Sequence, residues 1–184
     1  MKRSILIAES LAFALVAVGA AAALAENGSL TLGSGTGSPG RDVQLPIYLN
    51  LPKGQQFERI LAIVEHPPSL AYDRVELSPE IRTDDVTIDV KESAPQAGGK
   101  MKRVEITLKG GKEKPLRIGM VGSLIFTVDK KARSQMISLP VIEVKGFSKG
   151  SRAETKLRGD SGSVTIYEPG AEPLPLVTCF FFTH

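Results

Sequence analysis

Asp84, Asp85, Asp89 and Glu92 bring four carboxylates into one short stretch. Oxygen ligands at that density suit a hard cation such as calcium, and paired carboxylates of unequal pKa are what glycoside hydrolysis needs. The spacing argues against both. Asp85, Thr87, Asp89 and Lys91 recur at every second residue, with Val86, Ile88 and Val90 between them. On a strand, these polar residues share one solvated face, and nothing separates a proton donor from a base. His66 ends an apolar run beside Pro67-Pro68; no Ser or Cys is marked out as its partner, so it reads as a packed or exposed turn histidine. Gly33-Ser34-Gly35-Thr36-Gly37-Ser38-Pro39-Gly40 has the glycine density of a phosphate loop. It lacks Gly-Lys-Ser/Thr, and no helix follows whose N-terminus could face a phosphate, so a hairpin-like connection is expected. Catalytic residues, a metal site and a cofactor are all expected to be absent, and the chain reads as a non-enzyme.

Composition points the same way. The single cysteine, Cys179, excludes a disulfide framework and a thiolate zinc site. It reads as a small apolar residue or as a thiol that could link two chains. There are two His, no Trp and 5% aromatic residues, which is little material for a metal centre or a stacking platform. The formal charge of +3 is small. The basic stretch Lys100, Lys102, Arg103, Lys109, Lys112, Lys114 and Arg117 is broken by Glu105 and Glu113 and has no interleaved aromatics. A soluble strand face outweighs a nucleic-acid surface there.

The elements must be strands. Val43, Leu45, Ile47 and Leu49 alternate with polar or small residues, as do Val86, Ile88 and Val90; Val104, Ile106 and Leu108; Leu124, Phe126 and Val128; and Val164 and Ile166. The more continuous Phe57–Glu65 reads as a strand covered on both faces, and Tyr72–Leu77, Gln135–Leu139 and Val141–Phe147 as further strands. Ser38-Pro39-Gly40, Pro52-Lys53-Gly54, Pro67-Pro68, Gly98-Gly99, Gly110-Gly111 and Lys149-Gly150 supply turns. Alternating strands have one dry face each, so two sheets must pack their dry faces together. The expected fold is all-β, a nine-stranded antiparallel sandwich. Pro46 lacks a ladder donor, which places its strand at an edge or at a bulge.

The two ends differ in character from this body. Met1-Lys2-Arg3, the apolar run Leu11–Leu24 and Ala23-Leu24-Ala25 form the pattern of a secretory signal peptide over residues 1–25. The mature protein is then expected to be extracellular, at the cell surface or periplasmic, and to meet the membrane only through that leader. Residues 26–167 form the domain. Residues 168–184 are a Pro-rich linker and an apolar end, Val177–Phe182, which either folds back over the sandwich or is donated as a strand to another protein's sheet.

Three segments resemble the cohesin module of cellulosome-type scaffolds: Gly37-Ser38-Pro39-Gly40-Arg41-Asp42-Val43-Gln44-Leu45-Pro46-Ile47; Gly119 to Lys130; and Glu143-Val144-Lys145-Gly146-Phe147-Ser148 followed by Gly162-Ser163-Val164-Thr165-Ile166. The resemblance implies a non-catalytic jelly-roll sandwich that recognises, with one sheet face, the dockerin modules of polysaccharide-degrading enzymes. The family's usual aromatic-Asp-Pro ending of the third strand is absent here. That place reads Ala62-Ile63-Val64-Glu65-His66-Pro67-Pro68, and the positions where many cohesins carry Asn and Asp are Arg59 and Leu61.

If Ile60, Ala62 and Val64 point inward, then Arg59, Leu61, Ile63 and Glu65 point outward. With Asp85, Thr87 and Asp89, and with Arg103, Glu105 and Thr107, they make an expected partner-binding face with an apolar centre and a charged rim. The alternative is that a loop or the C-terminal tail covers Leu61 and Ile63. The favoured partner is a dockerin-like protein. The other functions left open are a carbohydrate-binding module on the same fold, which needs a row of exposed aromatics, and an assembly subunit using the apolar tail.

Overall fold

The computed structural model describes residues 28–168, apart from 53, 82–84, 96–99, 112–115, 117, 149 and 151–152. The described residues form thirteen strands and no helix. In chain order these are β1 (Ser29–Leu32), β2 (Ser34–Gly37), β3 (Asp42–Asn50), β4 (Phe57–His66), β5 (Leu70–Leu77), β6 (Val86–Ser93), β7 (Lys102–Gly110), β8 (Gly119–Val128), β9 (Gln135–Leu139), β10 (Val141–Ser148), β11 (Glu154–Lys156), β12 (Arg158–Asp160) and β13 (Gly162–Ile166). One five-stranded sheet has the order β12-β1-β3-β8-β5 and a second has β11-β10-β4-β7-β6. A three-stranded sheet, β2-β13-β9, adds Val164, Ile166, Ile137 and Leu139 to the same core. Strands β3, β4, β5 and β6 alternate between the two large sheets, which is the jelly-roll course.

Period-two patterning explains the core. Val43, Leu45, Ile47 and Leu49 of β3 are buried, as are Ile60, Ala62 and Val64 of β4, Val104, Ile106 and Leu108 of β7, and Leu124, Phe126 and Val128 of β8. Each set is every second residue, so each strand turns one face inward. Phe57 lies against Gly146, where a Cβ would come within 2.5 Å of its ring, so the glycine makes room for the aromatic.

Thirteen strands rather than nine is a correction with local causes. The chain changes sheets at Gly33: β1 pairs with β3, while β2 runs parallel to β13. The segment expected to be a hairpin-like connection is therefore partly strand. A Cβ at Gly35 would meet Gln44 O and Val43 Cγ2, each at 2.7 Å, so the glycines allow close backbone approach there rather than reversing the chain. The short β11 and β12 carry no apolar alternation and escaped notice. The sandwich is also not purely antiparallel, because β1–β12 and β13–β2 are parallel pairs.

Pro46 corrects the edge expectation as well. Strand β3 is central, between β1 and β8, and its irregularity falls one residue on, between Ile47 and Tyr48. Pro46 O accepts the Gly33 N–H at 2.7 Å. In an antiparallel ladder a residue's N and O point the same way, so the missing donor faces the place where the chain leaves β1 for β2. The ladder lapses there, and little is lost.

His66 proves to be a fully buried residue, its side chain 0% exposed. Its Nδ1–H donates to Leu70 O at 2.9 Å, and its ring meets Phe126 edge-on, with centroids 5.1 Å apart. Among the described residues Nε2 has no hydrogen-bond partner, and the Glu92 carboxylate lies 3.3 Å from it.

In the parallel β1–β12 pair one side-chain bond crosses between the strands, from Thr31 to Asp160, whose carboxylate is also held by Arg158 of its own strand. Arg158 donates to Asp160 at 2.8 and 3.1 Å, and the Thr31 hydroxyl donates to Asp160 at 3.0 Å. Arg158 first, then Thr31, holds the Asp160 carboxyl below the usual carboxylate range, against the opposing effect of partial burial. A lowered folded-state pKa gives stability that is present above the unfolded value, roughly 3.9, and is lost as pH falls through the folded one. We expect Asp160→Asn to cost about 1 kcal/mol or less near neutrality, since the site is half-exposed. The difference from the parent should shrink as pH falls below the usual carboxylate range and through the lowered folded-state value. Urea midpoints of both proteins across pH 2 to 7 check this, and a gap that stays constant to the lowest pH would sink it.

Candidate functional site

Alternation in β4 leaves Arg59, Leu61, Ile63 and Glu65 pointing outward between two neighbouring strands. The register places Phe147 and Lys109 beside Arg59, Lys145 and Thr107 beside Leu61, Glu143 and Glu105 beside Ile63, and Arg103 beside Glu65. One strand further, β6 sets Thr87 against Lys109, Asp89 against Thr107 and Lys91 against Glu105. Nine of the ten residues expected on a common face therefore share one. Asp85 is at its margin, half-buried in the turn ahead of β6, with its carbonyl accepting the Gly111 N–H at 2.7 Å.

Leu61 and Ile63 are half-buried at the centre of this face. The expectation that β4 is covered on both sides is thus corrected: its inner side is sealed and its outer side only partly shielded by the side chains around it. The charges around the centre are mostly paired. Arg103 Nε and Nη2 donate to Glu65 at 3.0 and 2.9 Å, and Lys109 donates to Asp89 at 2.8 Å. Lys145 sits 3.0 Å from Glu143 and 3.3 Å from Glu154. Glu143 first, then Glu154, raises the Lys145 ammonium above its usual range.

Sequence reasoning missed the β10 contribution, namely Glu143, Lys145 and Phe147. The strand itself was legible. Its register was not, because a bulge between Val141 and Glu143 shifts its pairing with β4. The Arg59 guanidinium lies 4.1 Å from the centre of the Phe147 ring, a contact whose signal would have been that register.

The other candidates do not assemble. Asp84 lies outside the described residues. Glu92 is directed to Lys102 and His66 rather than to Asp89. Among the described residues no group of three or more His, Cys, Asp or Glu is placed to hold a metal. A depression of about 450 Å³ is lined by Ser69, Asp129, Lys131 and Arg133 among others, and the last three are exposed. A row of aromatics is missing as well: among the described residues, Phe147 stands on the β4 face and Tyr48, 42% exposed, on the opposite sheet. The leader, Cys179 and the apolar run Val177–Phe182 lie outside the described residues.

No protein-family model matches the chain, and no curated protein matches it. Solved structures do. The chain superposes on the seventh ScaB type I cohesin of Pseudobacteroides cellulosolvens with a TM-score of 0.58 and 15% identity, covering 86% of this chain and 99% of that one. A ScaC cohesin of Acetivibrio cellulolyticus, solved with a ScaB dockerin, gives 0.59 and 14%, covering 76% and 98%. The chain has the cohesin fold. A non-cellulosomal cohesin of the archaeon Archaeoglobus fulgidus gives 0.55 and 17%, covering 78% and 94%. The three sequence segments that resemble cohesins thus hold at the level of fold. They map to β2–β3, to β8 with its exit turn, and to β10 with β13.

Proposed function

We propose that this cohesin-fold chain is an exported, non-catalytic docking module that binds a dockerin-like protein module with the outer face of β10-β4-β7-β6. The observation that carries this is the β4 face itself: Leu61 and Ile63 half-buried and surrounded by paired charges, on a fold whose similar structures include a cohesin–dockerin complex. An interface of this kind gains affinity by drying its apolar centre, while the rim sets orientation. Arg59, Leu61, Ile63, Glu65, Thr87, Asp89, Arg103, Glu105 and Thr107 are its contact residues, with Asp85 at the margin.

Export rests on the signal-peptide pattern of residues 1–25 and implies work outside the cytoplasm, within an assembly that degrades polysaccharide. A sugar-binding role is less well supported, since Phe147 and Tyr48 lie on opposite faces and cannot form one coplanar row.

The test is calorimetric titration of the purified chain with purified dockerin modules encoded in the same genome, beside a pelleting assay on insoluble polysaccharide. Saturable one-to-one binding to a dockerin is expected. Silence toward every dockerin, with retention on the polysaccharide, would overturn the reading.

A further inference from the structure

The rim charges are not equivalent, and the difference describes the partner. Glu65 of β4 with Arg103 of β7, and Lys109 of β7 with Asp89 of β6, are mutually neutralised. Among the described residues, Arg59 and Glu105 have no ion pair or side-chain hydrogen bond. Both are exposed, and they lie toward opposite ends of the Leu61–Ile63 strip. Ile63, the direct neighbour of Glu105, is four residue steps beyond Arg59 on β4, about 13 Å along the strand. Around Arg59 stand Phe147 and Lys109; around Ile63 stand Glu143 and Glu105. Lys109 and Glu143 are neutralised by Asp89 and Lys145, and Lys91 stands opposite Glu105 on β6, so the two ends of the strip differ by Arg59 at one and by Glu105 beside Lys91 at the other.

The Arg59 end is also pre-shaped. The Phe147 ring, 4.1 Å from the Arg59 guanidinium carbon, holds the side chain over an aromatic surface. A stacked guanidinium keeps its in-plane N–H groups available for a carboxylate, a geometry that lysine lacks. Holding the side chain in place beforehand lowers the entropic cost of closing that contact.

We propose that Arg59 and Glu105 are the specificity determinants of this face: the partner presents a carboxylate to the Arg59–Phe147 stack and a cation to Glu105, about 13 Å apart along an apolar ridge that covers Leu61 and Ile63. The inference rests on the docking function above. It goes further by fixing the partner's charge pattern and the direction in which it is seated.

Binding of the same-genome dockerin modules is measured for the parent, Arg59→Glu, Arg59→Lys, Glu105→Lys and the double Arg59→Glu/Glu105→Lys, with thermal melts confirming folding. Arg59→Glu and Glu105→Lys should each weaken binding by about 10-fold or more. Arg59→Lys should fall between Arg59→Glu and the parent, because charge survives and the fork does not. Reversing the matching acid on the dockerin to Lys should restore binding to Arg59→Glu and not to the parent, a rescue that a purely structural role would not produce. Dockerin binding that is unchanged by Arg59→Glu and Glu105→Lys would overturn this inference and leave the docking reading intact. Absence of dockerin binding by the parent would overturn both, as would a concentration-dependent dimer in sedimentation that is abolished by Arg59→Glu.

Discussion

Replacing Leu61 and Ile63 together by Asp is expected to abolish measurable binding of a dockerin-like partner while leaving the fold in place. Both side chains point away from the core and are half-buried. The inner side of β4 keeps Ile60, Ala62 and Val64, so the sandwich retains its packing. Both are already half-buried, so a complex that dries them gains about 0.8–1.5 kcal/mol from each, and their loss together weakens binding by roughly 10–10²-fold. A carboxylate at 63 is repelled by Glu105 and Glu143, and covering either new carboxylate with an apolar ridge adds a desolvation cost of about 2 kcal/mol or more. Asp is a poor strand residue, so Leu61→Thr/Ile63→Thr separates the effects: threonine keeps β propensity while removing most of the apolar area. Calorimetry should show the Thr pair binding far more weakly than the parent, with a thermal midpoint within a few degrees of it. Full affinity in the Thr pair would show that the partner does not use this centre.

The largest effect on stability is expected from Phe126→Ala. Phe126 is fully buried on β8, in the middle of the β12-β1-β3-β8-β5 sheet. It meets the His66 ring edge-on at 5.1 Å and the Tyr72 ring at 6.0 Å. Truncation removes the apolar transfer term and leaves a cavity, together about 3–5 kcal/mol. Fixed by Leu70 O and the strand end, His66 cannot move in to fill the space, which places the cost toward the top of that range. Against a total stability of roughly 5–15 kcal/mol, the variant is marginal at best. Urea unfolding should show a lower midpoint at an unchanged slope, whereas a loss under about 1 kcal/mol would mean that the site collapses around the gap.

What could be read beforehand follows from how far each signal reaches along the chain. Alternation is local, and Val43, Leu45, Ile47 and Leu49 declare their strand and its inner face without reference to anything distant. The outward set Arg59, Leu61, Ile63 and Glu65 follows from the same rule. Pairing is not local. Nothing near Gly33 shows that Leu32 lies opposite Ile47 while Ser34 lies opposite Ser163, so the glycine-rich stretch looked like a turn. Pro46 misled for the same reason: its missing donor is harmless only because a remote strand departs there. The Arg59–Phe147 stack needs a register that a bulge in β10 sets, and neither residue's neighbours in sequence carry that information.

The parallel pairing of β2 with β13 has a mechanical meaning. The first strands run from Ser29 toward Gly37, and β13 runs beside them in the same sense toward Ile166. Residue 28 therefore enters at one pole of the sandwich and residue 168 leaves from the other. Tension between those poles slides β13 lengthwise past β2, so the rungs from Ser34–Ser163 to Gly37–Ile166 bear load together instead of opening one by one like a zipper. Force applied across those two poles is therefore met by four paired positions at once.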